Sequence, residues 1–157
     1  MKITTAVSIV MLCSSLFRFA GAEAARADTP QLAVGRMTTA YNHLDLTNYM
    51  AVHTANFMVT NVSGKHQAYL PLQATIARQF TSRTHTFLQS KLVGLTVQGN
   101  AARSKLIEHY VQHQTSQAPQ YAAIRDVTAD VLWVNGPRGW QMTSEQMLRD
   151  VNIYQRL

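Results

Sequence analysis

The stretch that decides the fold reads Asp130-Val-Leu-Trp-Val-Asn-Gly-Pro-Arg-Gly-Trp-Gln-Met-Thr-Ser-Glu-Gln-Met-Leu148. It contains two apolar runs, each with a tryptophan, and a turn segment with two glycines and a proline between them. Glycine tolerates positive φ and proline cannot extend a strand ladder, so the stretch predicts a β-hairpin. This hairpin would close a C-terminal half made of strands, behind an N-terminal half made of helices.

Residues 1–27 have the pattern of a secretory signal peptide. Lys2 supplies a positive start, residues 3–17 are largely apolar, and small-residue A-x-A sites follow. The apolar run is shorter than the roughly 20 residues that span a bilayer, and Arg18 interrupts it. We therefore expect cleavage before Asp28, no stable membrane anchor after cleavage, and a secreted protein of the bacterial periplasm.

Residues 28–157 have the length of one domain with its own hydrophobic core. The single cysteine, Cys13, lies in the leader, so this domain has neither a disulfide nor a cysteine-ligated metal. It keeps 11 basic and 7 acidic residues. The basic residues are scattered singly, which argues against nucleic-acid binding.

Apolar spacing divides this domain into helices first and long strands afterwards. Helical spacing of about 3.6 residues holds over Ala33, Met37 and Ala40, and a period of two sets in from Phe87. Helices followed by strands predict an α+β fold in which helices cover one face of a curved antiparallel sheet. The predicted elements are two consecutive helices or one kinked helix over residues 31–53, a strand over 56–62, a helix from Pro71, strands over 88–97, 102–113, 121–134 and 140–148, and a polar loop over 115–120.

Three segments together resemble a known superfamily. Tyr41-Asn-His-Leu-Asp45 leads into the second helix, Asn56-Phe-Met-Val-Thr-Asn-Val-Ser-Gly64 forms the first strand and turn, and the tryptophan hairpin ends the series. Their order and spacing resemble the nuclear transport factor 2-like, or SnoaL-like, superfamily. The resemblance implies a sheet that wraps into a cone, with a ligand or substrate in the hollow that faces the helices. Such folds host isomerases, dehydratases, cyclases, binding modules and dimerisation domains, so the fold does not settle the function.

Asp45, Tyr49 and His53 fall on one stripe of the second predicted helix, at i, i+4, i+8 spacing. An acid, a phenol and an imidazole that face one pocket could perform acid/base chemistry. The alternative has Asp45 as the helix cap and the other two residues in the core. On one strand, His109 and His113 share a face about 13 Å apart at roughly 3.3 Å per residue, too far to bind one metal.

Catalytic relatives implied by the resemblance differ at the expected base. Cone-fold isomerases use a carboxylate just after the first strand, where this chain has Asn61, which cannot accept a proton at neutral pH. Dehydratase-type relatives use pocket histidines with an aspartate, which keeps His53, His85 and His109 as candidates. On the strand of His109, Glu108 shares the opposite face with its apolar neighbours, and one of the two faces lines the cone.

Three functions stay open. The first is binding of a small, largely apolar molecule in the cone without catalysis. The second is a cofactor-free acid/base enzyme of the dehydratase or isomerase type, with Asp45, His53 and His109 as its catalytic residues. The third is a dimerisation or partner-binding module, for which a homodimer through the sheet is the expected form. No metal or cofactor is expected. The predicted pocket residues are Tyr41, Tyr49, Phe57, Trp133 and Trp140.

Overall fold

A computed structural model of the chain describes residues 28–81, 85–113 and 121–156. The predicted leader and the predicted loop over residues 115–120 lie outside these ranges. None of the helices in the described ranges is long and apolar enough to cross a membrane. The described elements are α1 (Pro30–Asn42), α2 (Leu46–Ala51), β1 (His53–Thr60), β2 (His66–Ala68), α3 (Tyr69–Thr81), β3 (His85–Gln98), β4 (Ala101–His113), β5 (Tyr121–Gly136) and β6 (Gly139–Arg156).

The strands form one curved, open sheet in the order β2-β1-β6-β5-β4-β3. Strands β3 to β6 are an antiparallel meander, as predicted. The predicted α+β fold with helices on a curved sheet is confirmed. The sheet is mixed rather than purely antiparallel, because β1 runs parallel to β6 and places Val59 beside Glu145. These two strands are separated by the whole meander, so no hairpin turn forces them to run in opposite directions.

The N-terminal helices begin and end where local capping allows. Thr29 Oγ1 accepts a hydrogen bond from the Leu32 amide at 3.2 Å, and Pro30 occupies the first turn of α1. Asp45 Oδ1 accepts from the Asn48 amide at 3.0 Å and caps α2. The prediction of two consecutive helices is therefore confirmed, and the break between them falls at residues 43–45.

The second helix ends earlier than predicted, and His53 begins β1 instead. The side-chain amide of Gln141 donates to the carbonyls of Ala51 at 2.8 Å and His53 at 3.1 Å. The Met142 amide donates to the Val52 carbonyl at 2.8 Å. These bonds from β6 satisfy the last carbonyls of α2. Tertiary contacts with a strand 88 to 90 residues away thus decide where this helix stops.

The hydrophobic core fills the half of the concave face that α1 and α2 cover. Trp133 is almost fully buried, and its indole Nε1 donates to Ser104 Oγ at 2.8 Å. Asn42, at the end of α1, holds the edge strand β3 by two bonds to the backbone of Leu88, at 2.9 and 2.7 Å. Because the core occupies this half, the other half of the cone stays open.

Candidate functional site

The open half of the cone is a cavity of about 390 Å³ between the sheet and the helices. All three helices and every strand contribute to its lining, so it is the place where the whole fold converges. The lining residues that bear chemistry are Tyr41, Tyr49, His53, Glu108, Tyr110, Arg125 and Glu145.

Strand alternation places one carboxyl in the cavity from β4. Leu106, Glu108 and Tyr110 share the concave face, since successive side chains of a strand point to opposite faces. Glu108 lies opposite Val127 of β5, and Tyr110 lies opposite Arg125. The sequence alone left open which face of this strand lines the cone, and the structure shows that it is the face of Glu108.

Two β-bulges in β6 bring a second carboxyl into the cavity. The pairing of β6 with β5 skips Leu148 and Thr143, and each extra residue reverses which side chains face the concave side. Glu145 and Asn152 lie on either side of the bulge at Leu148, and both face inward. Without these bulges a strict period of two would turn one of the two residues outward.

Glu108 is 5% exposed and has one neutral partner. The Tyr110 hydroxyl donates to Glu108 Oε2 at 2.9 Å. Burial raises the pKa of Glu108 to about 7, while this hydrogen bond and the charge of Arg125 lower it by a smaller amount. A carboxyl with this pKa is partly protonated at neutral pH.

Glu145 is the less stabilised member of the pair. Its Oε1 is closed off from solvent and has no hydrogen-bond partner among the residues that the structure describes. Burial, and then repulsion from Glu108, raise the pKa of Glu145 to about 8. Two interacting carboxyls with raised pKa values titrate as one unit, so the pair retains a proton at neutral pH.

Arg125 is the one permanent cation among the described residues of the lining, and it is already paired. Its guanidinium makes two 2.8 Å bonds to the carboxylate of Asp150. The guanidinium carbon also lies 5.6 Å from the centroid of the Tyr110 ring. The bidentate pair fixes Arg125 in place and holds the pKa of Asp150 below its ordinary value.

An aromatic wall joins the helices to the sheet beside the cavity. The ring of Tyr41 lies 5.6 Å from Tyr49, 5.2 Å from Phe80 and 5.6 Å from Tyr110, between ring centroids. Burial raises the pKa of Tyr41 to about 12, so its phenol stays neutral. The wall therefore offers ring surfaces and neutral hydroxyls to a bound molecule.

His53 is 3% exposed and lines the base of the cavity. Its Nδ1 lies 3.2 Å from the Tyr49 carbonyl, so Nδ1 carries the hydrogen and Nε2 is the unprotonated nitrogen. Burial lowers the pKa of His53 to about 4, which keeps the ring neutral. At neutral pH it can accept a hydrogen bond but is a weak base.

The three residues proposed as catalytic do not converge. His53 lines the cavity, whereas Asp45 is a surface cap of α2 and His109 lies on the convex face of the sheet, 2.6 Å from Asp126. The helical stripe ends at Ala51, and strand alternation turns His109 away from Glu108.

The predicted pocket residues divide between the cavity and the core. Tyr41 and Tyr49 line the cavity. Trp133 and Trp140 are buried in the core half, and Phe57 packs on His53 with ring centroids 4.6 Å apart.

Two further positions considered in the sequence have no place in the described site. Asn61 organises the turn after β1, where its Oδ1 accepts from the amides of Ser63 and Lys65. The side chain of His85 is outside the described part of the chain. Sequence reasoning missed Glu145 and Arg125, and it noticed Glu108 without choosing it.

Comparisons with solved structures agree on the fold. No protein-family model matches the chain, and no curated protein matches it in sequence. A putative scytalone dehydratase from Novosphingobium aromaticivorans superposes with a TM-score of 0.66 at 10% identity, over 80% of this chain and 83% of that one. A ketosteroid isomerase-like protein from Erwinia carotovora atroseptica gives 0.56 at 13% identity, over 75% and 92%. A nuclear transport factor 2-like protein of unknown function from Shewanella oneidensis gives 0.55 at 13% identity, over 74% and 93%.

Proposed function

Because this chain has the nuclear transport factor 2-like cone fold, we propose that it binds a small organic molecule in the cone, with Glu108 and Glu145 as the polar contacts. The observation that carries the proposal is the buried, unpartnered Oε1 of Glu145. A buried polar atom without a partner costs about 1–3 kcal/mol. Rotation of the Glu145 side chain toward the cavity would let a ligand donate a hydrogen bond to this oxygen and recover that free energy, which favours occupancy of the cavity.

The residues that line the cavity support a more specific proposal for the chemistry of the ligand than the sequence did. Apolar side chains such as Leu72, Ile76 and Met147 share the wall with glutamines, threonines and the two glutamates. A cavity of about 390 Å³ is at the small end of the roughly 300–1,000 Å³ that ligand pockets span. The molecule we propose therefore combines a small hydrocarbon body with a polar group. If the leader is cleaved as expected, the protein binds this molecule in the periplasm.

A thermal-shift screen tests this proposal. The panel contains small alcohols, amines, ketones and carboxylic acids at neutral pH, and at least one class should raise the melting temperature in a dose-dependent way. The double variant Glu108→Gln with Glu145→Gln should lose that response. Asp130→Asn is the matched control, since this aspartate is exposed and pairs with Lys105 outside the cavity. No shift across the panel, or an equal shift in the double variant, would contradict the proposal.

Acid/base catalysis is the second candidate, and the carboxyl pair favours it. General acids and bases work best when their pKa lies near the operating pH. The pKa values of Glu108, about 7, and Glu145, about 8, lie near neutral pH. Two of the structural neighbours are called a dehydratase and an isomerase-like protein. In this candidate the carboxyl pair, rather than Asp45 and His109, moves the proton.

Hydrogen exchange separates catalysis from binding. Small ketones incubated with the protein in D₂O should lose their α-proton NMR signals faster than in buffer, and the Glu108→Gln/Glu145→Gln variant should abolish the difference. Ligand binding without accelerated exchange would leave the protein as a binding module.

We also propose that the protein forms a homodimer through the convex face of its sheet. A row of apolar side chains crosses four neighbouring strands there, and its end members Phe87 and Ile153 are 50% and 49% exposed. Between them lie Val111 and Ile124, in register. Sedimentation equilibrium should show a dimer that Ile153→Glu converts to a monomer. A monomeric wild-type protein would overturn this proposal.

A further inference from the structure

We infer that the molecule bound in the cone is an organic cation, a small amine whose ammonium group lies between Glu108 and Glu145. This inference rests on the ligand site proposed above and adds its chemical class. It depends on two features of the cavity, its charges and its aromatic rings.

The charges of the lining leave two carboxyls without a cation of their own. The guanidinium of Arg125 makes both of its short bonds to Asp150. The one described partner of the Glu108 carboxyl is the neutral hydroxyl of Tyr110. Glu145 has an oxygen without any partner among the described residues. Rotation about the side-chain torsions of Glu145 can bring this oxygen to the cavity, where a ligand can reach it.

Aromatic rings surround the same carboxyls. Tyr41, Tyr49 and Tyr110 all line the cavity. The ring planes of Tyr49 and Tyr110 make angles of 59° and 72° with that of Tyr41, so the rings do not cover one another by face-to-face stacking. Ring faces attract ammonium groups, and the attraction grows when the cation leaves water. Tyrosines beside buried carboxyls therefore suit an amine better than an anion or an uncharged oxygen compound.

A proton takes the place of the cation when the cavity holds no ligand. Glu108 is buried and Glu145 is half-buried, and such a carboxyl pair with no counter-cation keeps a proton, since the charged form is poorly stabilised. An ammonium that enters balances the negative charge, and one carboxyl proton leaves to solvent. Each bound cation is thus exchanged for about one proton, and the net charge of the site stays the same.

Other charged or titratable groups around the pair do not supply this cation. Tyrosines and His53 are neutral at neutral pH, and Arg125 is matched by Asp150. Besides the pair, the titratable and charged groups that line the cavity are Tyr41 of α1, Tyr49 of α2, His53 of β1, Tyr110 of β4, Arg125 of β5 and Tyr154 of β6.

Calorimetric titration with matched amine and alcohol pairs tests the inference. The probes are phenethylamine, cyclohexylmethylamine and hexylamine, each against the alcohol of the same skeleton. At pH 8 at least one amine should bind ten or more times tighter than its alcohol. This advantage should fall at least tenfold by pH 6, because each proton displaced changes affinity by up to about tenfold per pH unit. Titrations in buffers of different ionisation enthalpy should show release of close to one proton per amine near pH 7.

The outcomes separate this inference from the proposed function. Alcohols that bind as tightly as the amines, or an amine affinity that does not change with pH, would overturn the cation and leave the cavity a site for neutral molecules. If neither the amines nor the alcohols bind, the inference is overturned, and the ketones and carboxylic acids of the thermal-shift panel then decide the proposed function.

A pair of single variants adds a control for structure. Glu145→Gln preserves the shape of the side chain, and it should lose the amine advantage while the alcohol still binds. Asp130→Asn removes a carboxylate from the convex face and should keep that advantage. An unchanged amine preference in Glu145→Gln would contradict the inference. The pH dependence and proton release of the wild-type protein test it independently if Glu145→Gln does not fold.

Discussion

Replacing Glu145 by glutamine should stabilise the protein above neutral pH. The pKa of this carboxyl is raised from 4.5 to about 8 in the fold, by burial and by Glu108. The native state therefore holds a proton that the unfolded chain has released, and the free energy of unfolding falls as pH rises from 4.5 to 8. Glutamine cannot ionise, so the variant should lose this part of the pH dependence.

The window from pH 6.5 to 8 isolates the carboxyls. Below it His53 acts in the opposite direction, since its pKa is lowered from 6.5 to about 4 and its protonation destabilises the fold as pH falls. Within the window Glu145 accounts for a loss of about 2 kcal/mol, at roughly 1.4 kcal/mol per pH unit for one proton. Glu108, with a pKa of about 7, adds less than about 1 kcal/mol by the same relation.

Urea unfolding at pH 6.5 and pH 8 measures this difference. Trp133 and Trp140 are both buried, so their fluorescence reports global unfolding. The wild-type protein should lose about 2–3 kcal/mol across the window, and Glu145→Gln should lose less than half as much. The exposed control Asp130→Asn should lose as much as the wild type. A wild-type stability that is constant or rises over this window would refute the reasoning, as would an equal loss in Glu145→Gln.

Three further substitutions test other parts of the structure. Between pH 6.5 and 4 the lowered pKa of His53 costs about 3 kcal/mol of stability, so His53→Gln should gain about that much relative to the wild type as pH falls over this range; urea titrations in which both proteins change by the same amount would contradict this. Leu44 has a φ of 58° and is 41% exposed, and relief of left-handed strain should make Leu44→Gly more stable by up to about 1 kcal/mol, seen as a higher melting temperature. Gly139→Ala should destabilise the protein by about 1–3 kcal/mol, since φ is +81° and the added Cβ would collide with the Asp28 carboxylate. An unchanged calorimetric melting temperature for Gly139→Ala would show that the Asp28 contact is not tight.

Local signals predicted the elements whose boundaries are set by local physics. Gly99 has a φ of 60° in the β3–β4 turn, and Gly139 has a φ of 81° beside the Pro137–Arg138 turn. Asp45 caps α2. In each case the cause lies within a few residues of the chain, so the residue types alone indicate the structure.

Elements decided by distant contacts could not be predicted in this way. The period of two predicts that the last strand ends at Leu148, yet β6 continues to Arg156. The bulge at Leu148 breaks the alternation without ending the pairing. The parallel pairing of β1 with β6 also depends on chain segments far apart in sequence.

The same limit explains why the carboxyl pair was missed. Glu145 follows the bulge at Thr143 and reads as one of several alternating polar residues after the hairpin. Glu108 gave a clearer signal, because a carboxylate between Leu106 and Tyr110 on one strand face is costly to bury unless it has a role or a partner. The neighbouring His109 was predicted as catalytic instead, although strand alternation places it on the opposite, convex face.

Carboxyl NMR tests the central claim most directly, that a protonated carboxyl pair in the cone is the ligand site. The chain has three glutamates, of which Glu108 and Glu145 lie in the cone and Glu23 lies in the predicted leader. In protein labelled with ¹³C at the glutamate carboxyls, the two cone resonances should titrate near or above pH 7. Saturation with a bound amine at pH 7 should move them to their deprotonated positions. Two resonances that titrate near 4.5 and do not respond to any ligand of the panel would contradict the account.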